Sequence, residues 1–215
     1  TVYTVDLLGC GRSDKSSITY TNFVYVQMIS DFIKKIIGQK TDVIASGFSG
    51  SFVTMACHNE KELFNKIMLV NPPSLTQLKQ MPNRKDRLLK AALEIPIFGT
   101  LVYHMIVSRD NINNLFIEKM YYNPFHVDNQ MADAYYEAAH KGGYYTRFLY
   151  SSLAAKYINI NICHALKALD NSIYIVEGET EPNGKAVTDD YCASNPAIEV
   201  SIPVSYTHLT LPTIA

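Results

Sequence analysis

Over its first 73 residues the chain alternates short aliphatic runs with helical stretches, and that alternation constrains its fold more than any other feature. Runs at residues 2–5, 43–45 and 67–70 are β-branched or aliphatic, and each ends in turn residues: Asp6, Gly47 and Asn71-Pro72-Pro73. They read as buried strands. Between them, residues 22–37 carry Phe23, Val26, Ile29, Ile33 and Ile36 at helical spacing, with Gly38 as a stop, and residues 51–59 offer a second helix bearing Phe52, Met55 and Ala56. Parallel neighbours need a crossover long enough to hold a helix, so this order predicts βαβ units.

After Pro73 the pattern turns wholly helical, with segments expected at 84–94, 111–122, 128–140 and 145–157, separated by Pro96, Pro124 and Gly142-Gly143. Strands return at 173–176 and 198–202 around a helix at 187–194. The expected architecture is α/β, a mostly parallel sheet flanked by helices, with an inserted helical cap. Core sequence occupies 1–74 and 161–202, and the cap 75–160.

Composition narrows the function classes. The 215 residues are 47% apolar, with a formal net charge of −1 and no basic run, which leaves no electrostatic footprint for nucleic acid. No apolar run approaches a membrane span, and no signal pattern opens the chain, so neither a membrane partner nor export is expected. Cys10, Cys57, Cys163 and Cys192 are widely spaced and read as reduced thiols of a cytoplasmic protein. Neither cofactor nor metal is called for, because the histidines show no ligand spacing. The abundant Asn, Ile, Lys and Tyr fit an AT-rich coding sequence of bacterial type.

The segment Gly47-Phe48-Ser49-Gly50-Ser51 falls between a predicted strand and a predicted helix, which is where a nucleophile elbow belongs. Side chains two before and two after the nucleophile would collide in so tight a bend, and Gly47 and Ser51 are small enough. Ser49 is then the nucleophile and the Gly50 N–H an oxyanion donor. Upstream, Asp6-Leu7-Leu8-Gly9-Cys10-Gly11-Arg12-Ser13 resembles the Asp-x-x-Gly-x-Gly-x-Ser loop of α/β-hydrolases, and the order of loop, helix, strand, elbow, helix and strand over residues 1–74 is similar to that family. The loop itself reads as structural, with Asp6 and Arg12 bracing it.

That resemblance implies a Ser–acid–His triad. Residues 173–181 look like the family's late strand followed by Gly-x-x-Asp with glutamate in the acid's place, so Glu181 is the candidate acid, with Glu177 and Glu179 close enough to be confused with it. The histidine is expected beyond the core sequence, and the second oxyanion donor before Thr1. His208 is declined, because Val204 to Thr213 is what GTC TCT TAT ACA CAT CTG ACG CTG CCG ACG encodes, a string resembling a sequencing adapter read in frame. Residues 203–215 are therefore expected to be a non-native tail, and the chain by itself inactive. His58, His104, His126, His140 and His164 read as packing or surface residues.

The resemblance thus implies an ester or related acyl hydrolase working through an acyl-enzyme on Ser49. Its expected partner is a small molecule with an apolar acyl group, which the tyrosine-rich cap from Tyr103 to Tyr157 suits. Peptidase, lactonase and carbon–carbon hydrolase chemistries use the same machinery. A dehalogenase is disfavoured, because those members place aspartate at the nucleophile position. The alternative from another class is a non-catalytic binding protein on the same fold. Oligomeric state is not legible.

Overall fold

The structure is a computed structural model, and it describes residues 1–117, 129–178 and 183–202. Over the described residues the chain divides into two compact units, one built from 22–81 and 159–202 and the other from 1–21 and 82–158.

The first unit holds the sheet. Strands β1 (Thr41–Ser46), β2 (Phe64–Val70), β3 (Ser172–Val176) and β4 (Glu199–Ser201) lie in the order β1-β2-β3-β4, every pairing parallel. Ile67, Leu69, Ile173 and Ile175 are fully buried, as expected for central strands covered on both faces. Helix α1 (Asn22–Phe32) continues as a π turn to Ile37, and Gly38 ends it in the left-handed conformation with φ 70°. Its buried side is Tyr25, Val26, Ser30 and Ile33, with Tyr25 stacked on Phe52 at 4.8 Å, whereas Phe23 and Ile36 face solvent. Sequence spacing alone includes those two in the apolar stripe; the helix turns them outward because Tyr25 takes the place against Phe52.

Helix α2 (Phe48–Asn59) links β1 to β2 and buries Phe52, Val53, Ala56 and Cys57. The unit is completed by α3 (Leu75–Leu78), and, further along the chain, by a six-residue helix at Cys163–Ala168 and an eleven-residue helix at Gly184–Ser194.

The second unit is helical: α4 (Arg84–Glu94), α5 (Pro96–Ile106), α6 (Arg109–Leu115), α7 (Asn129–His140) and α8 (Thr146–Ala154). The two later helices of the sheet unit are accordingly α9 (Cys163–Ala168) and α10 (Gly184–Ser194). A capping box opens α4, in which the Asn83 side chain accepts from the Asp86 amide while the Asp86 carboxylate accepts from the Asn83 amide. Pro96 opens α5, so a residue read from sequence as a separator starts a helix that the sequence reading omits. Gly99 makes this corner possible. A Cβ there would lie 1.6 Å from the Leu93 carbonyl oxygen.

A buried polar cluster ties α4 to α8. Lys90 pairs with Glu94, Ser151 Oγ donates to Glu94 Oε1 at 2.9 Å, and Arg147 donates to the Tyr144 carbonyl at 2.5 Å and the Glu94 carbonyl at 3.4 Å.

Residues 2–5 are not a strand. They have no ladder partner among the described residues, and Val2 is 90% exposed. An extended run becomes a strand only by pairing, which a β-branched composition does not supply. The segment that follows packs instead within the helical unit: the Tyr20 amide donates to Ser152 Oγ at 3.1 Å, Lys141 donates to the Arg12 carbonyl at 3.1 Å, and Gly9 sits against Tyr20 and Leu149.

Candidate functional site

In open parallel sheets the ligand crevice lies at the carboxyl ends of the strands. Here those ends are held together by backbone and side-chain hydrogen bonds. Ser46 is paired with Val70, and the Gly47 amide donates to the Val70 carbonyl at 2.9 Å, which carries the β1 ladder to its last residue. One strand on, the Asn71 amide donates to the Val176 carbonyl at 2.9 Å, and Asn71 Oδ1 accepts from the Gly178 amide at 3.2 Å. Asn71 has φ 45°, a conformation that asparagine tolerates better than most side chains. The sequence reading used Asn71 only as a strand terminator; its place between an aliphatic run and Pro72-Pro73 was the available signal.

The turn from β1 into α2 is made by Gly47, at φ 56° and ψ −132°. An L-residue rarely adopts that conformation, so this is the strained position of the bend. Ser49 lies two residues later, already in the first turn of α2 and half-buried. The Gly50 amide donates to the Gly47 carbonyl at 3.1 Å, and a Cβ on Gly50 would press on Leu69 Cδ2 at 3.1 Å. Ser51 is fully buried, its hydroxyl donating to the Phe48 carbonyl at 2.7 Å.

A nucleophile elbow carries its reactive side chain on the strained turn residue. In this chain that residue is glycine. The small residues two on either side of it are Ala45 and Ser49, so the bend is framed by Ala45-Ser46-Gly47-Phe48-Ser49, two residues upstream of the frame read from sequence. The first amides of α2 after the bend belong to Phe48 and Ser49, where a helix start leaves N–H groups without intrahelical acceptors.

Glu181, Glu179, His126 and His208 lie outside the described residues. Glu177 follows β3 directly, is 5% exposed, donates its amide to the Ser201 carbonyl at 3.1 Å, and packs on Gly184, where a Cβ would fall 2.9 Å from Glu177 Cγ. Tyr191 donates to the Pro73 carbonyl at 3.0 Å; burial pushes its hydroxyl well above the ordinary phenol range, and the charges of Cys163 and Glu177 add to that. His58 and His164 meet edge to face at 5.5 Å in the sheet unit, and His104 stacks on His140 at 4.9 Å in the helical unit.

Burial pushes the thiols of Cys10 and Cys57 up to about 11, opposite to what a nucleophilic cysteine needs. Among the described residues no cluster of three or more His, Cys, Asp or Glu is placed to hold a metal ion.

Comparison with solved structures settles the architecture. A carboxylesterase of the thaumarchaeon Nitrososphaera gargenis superposes with a TM-score of 0.62 at 14% identity, over 94% of this chain and 70% of that one. The 2-hydroxy-6-oxo-6-phenylhexa-2,4-dienoate hydrolase of Rhodococcus sp. strain RHA1 gives 0.67 at 15%, over 93% and 70%. The chain has the α/β-hydrolase fold. A serine hydrolase involved in carbazole degradation gives 0.70 at 14%, over 93% and 68%. At such identities the likeness is one of fold. No family model and no curated protein sequence matches the chain.

Proposed function

We propose that this α/β-hydrolase-fold chain serves a small neutral ligand with an apolar acyl group, and that it engages this ligand without a covalent intermediate on Ser49. The observation that carries the reading is Gly47 at the strained position of the strand-to-helix turn. An acyl-enzyme formed at that turn position would need an oxygen or sulfur where Gly47 has only hydrogen. The ligand class is supported by the structural neighbours, among them a carboxylesterase and a serine hydrolase, and by the tyrosine-rich helical unit.

A second reading is an acyl hydrolase that uses Ser49. It is favoured by the half-buried position of Ser49 in the first turn of α2, near the carboxyl ends of the strands, and by the hydrolytic character of the neighbours. Ser49 Oγ would attack the carbonyl carbon and pass its proton to a histidine oriented by Glu181. The oxyanion would be held by the Gly50 amide, the leaving group would depart protonated, and water would release the acid. The Gly50 amide would have to share its hydrogen bond with the Gly47 carbonyl for this to work.

An arylboronic acid separates the two, because boron becomes tetrahedral when an enzyme oxygen adds to it. Boron NMR of the wild-type chain is expected to show trigonal boron only, and Gly47→Ser to show a tetrahedral signal. A tetrahedral signal in the wild type that disappears in Ser49→Ala would establish the second reading instead.

A further inference from the structure

Most surface helices turn charge outward, but α5 turns outward a stripe of large apolar side chains: Ile97 is 85% exposed, Phe98 51%, Leu101 59% and Met105 64%. Their spacing of one, three and four residues puts them on one face of the helix, while Gly99 and Tyr103 occupy the buried face. The preceding helix adds Leu88, 72% exposed, and meets α5 at 95°. Large apolar side chains exposed together on one helix face are of the kind that marks a contact site.

The charges on α4 indicate what covers it. Asp86 is answered by Lys156 at 3.3 Å and Lys90 by Glu94, but Arg84, Lys85 and Arg87 are exposed and have no ion-pair partner among the described residues. They occupy the first turn of the helix, where the macrodipole disfavours cations. Helix stability is therefore no reason for their presence.

We infer that the outer face of α4 and α5 is a docking surface for an anionic lipid bilayer, with the α5 stripe entering the headgroup boundary and Arg84, Lys85 and Arg87 meeting lipid phosphates. Apolar bulk beside cations is the composition that holds helices in the plane of a membrane surface. A side chain as exposed as Ile97 stands as a ridge, which suits a soft interface better than a groove-binding peptide. A second copy of the chain would bring the same unpaired cations to the contact. No single helix among the described residues is long and apolar enough to cross a membrane, and α4 and α5, which pass that test of length and composition only as a pair, are bent 95° from one another. The sequence expectation of no membrane partner looked for a span or an unbroken basic run; folding combines a short cationic turn with an apolar helix face instead. This inference is independent of the chemistry at Gly47 and Ser49.

The test is co-sedimentation of the full chain with vesicles of equimolar phosphatidylglycerol and phosphatidylcholine, against vesicles of phosphatidylcholine alone. Binding is expected only to the anionic vesicles, weakening as salt rises. Each of Arg84→Gln, Lys85→Gln and Arg87→Gln should lower partitioning about fivefold. Leu101→Glu should lower it at least about tenfold, with a circular dichroism melt unchanged because the side chain is exposed. Ile97→Ser provides a second, milder apolar variant read in the same way. Equal binding to both vesicle types, no binding to either, or a dimer in sedimentation velocity that Leu101→Glu dissociates would each overturn the inference.

Discussion

Asn71 and Gly178 are joined by a side-chain hydrogen bond of 3.2 Å, so the residue that ends β2 also holds the first turn after β3. Asn71→Ala loses that bond and forces a β-carbon-bearing residue without asparagine's local compensation into φ 45°. The expected cost is about 2 kcal/mol, against about 1 kcal/mol for Asn71→Gly, which relieves the backbone but still loses the bond. Urea melts of the two variants check the order; equal losses would show that the backbone angle contributes nothing.

Gly47 is similarly constrained by its backbone. Gly47→Ala is expected to destabilise the chain by about 1–3 kcal/mol, because φ 56° with ψ −132° is strained for any L-residue. Ser49→Ala, inside the first turn of α2, should lie within about 0.5 kcal/mol of the wild type. Thermal melts of the pair place the strained position directly.

At Gly99 the constraint is steric. A methyl group would collide with the Leu93 carbonyl, so Gly99→Ala must open the corner between α4 and α5 or unfold it, at an expected cost of about 3 kcal/mol. Hydrogen exchange should show the loss in 84–106 before it appears in β2, and uniform loss across both units would contradict the local origin.

The capping box gives α4 a pH dependence of known sign. The hydrogen bond from the Asn83 amide, joined by Lys156, holds the Asp86 carboxyl below the ordinary carboxylate value of 3.8. A group depressed on folding stabilises above its unfolded pKa and loses that contribution as pH falls through the folded value. Comparing wild type with Asp86→Asn should therefore show a stability difference at neutral pH that shrinks below about pH 4. A difference that is constant from pH 7 to pH 2 would refute the assignment.

Much of the sheet was legible because buried parallel strands are written as aliphatic runs: the cores of β1, β2 and β3 fall on 43–45, 67–70 and 173–176, all within the observed strands. Helix α4 falls on the range expected near 84–94, although the capping pair Asn83 and Asp86 that starts it was not read from the sequence. Residues 2–5 have the composition of a strand but join no ladder among the described residues, and pairing is not a local property. Helix α5 was missed because proline opens helices as well as closing them. The frame of the turn was ambiguous in the sequence for a similar reason. Ala45-x-Gly47-x-Ser49 and Gly47-x-Ser49-x-Ser51 both satisfy the demand for small flanking residues, and what chooses between them is the point where the β1 ladder stops, fixed by Ser46 opposite Val70.

The cluster beneath α4 and α8 mixes two kinds of contact at position 94. Lys90 and Ser151 reach its carboxylate, whereas Arg147 reaches its main-chain carbonyl. A substitution at 94 silences the first kind and leaves the second in place, because every residue brings a carbonyl. The junction between these helices is thus only half encoded by the identity of residue 94; the remainder is inherited from the path of the chain, and sequence drift at that position can weaken the joint without erasing it.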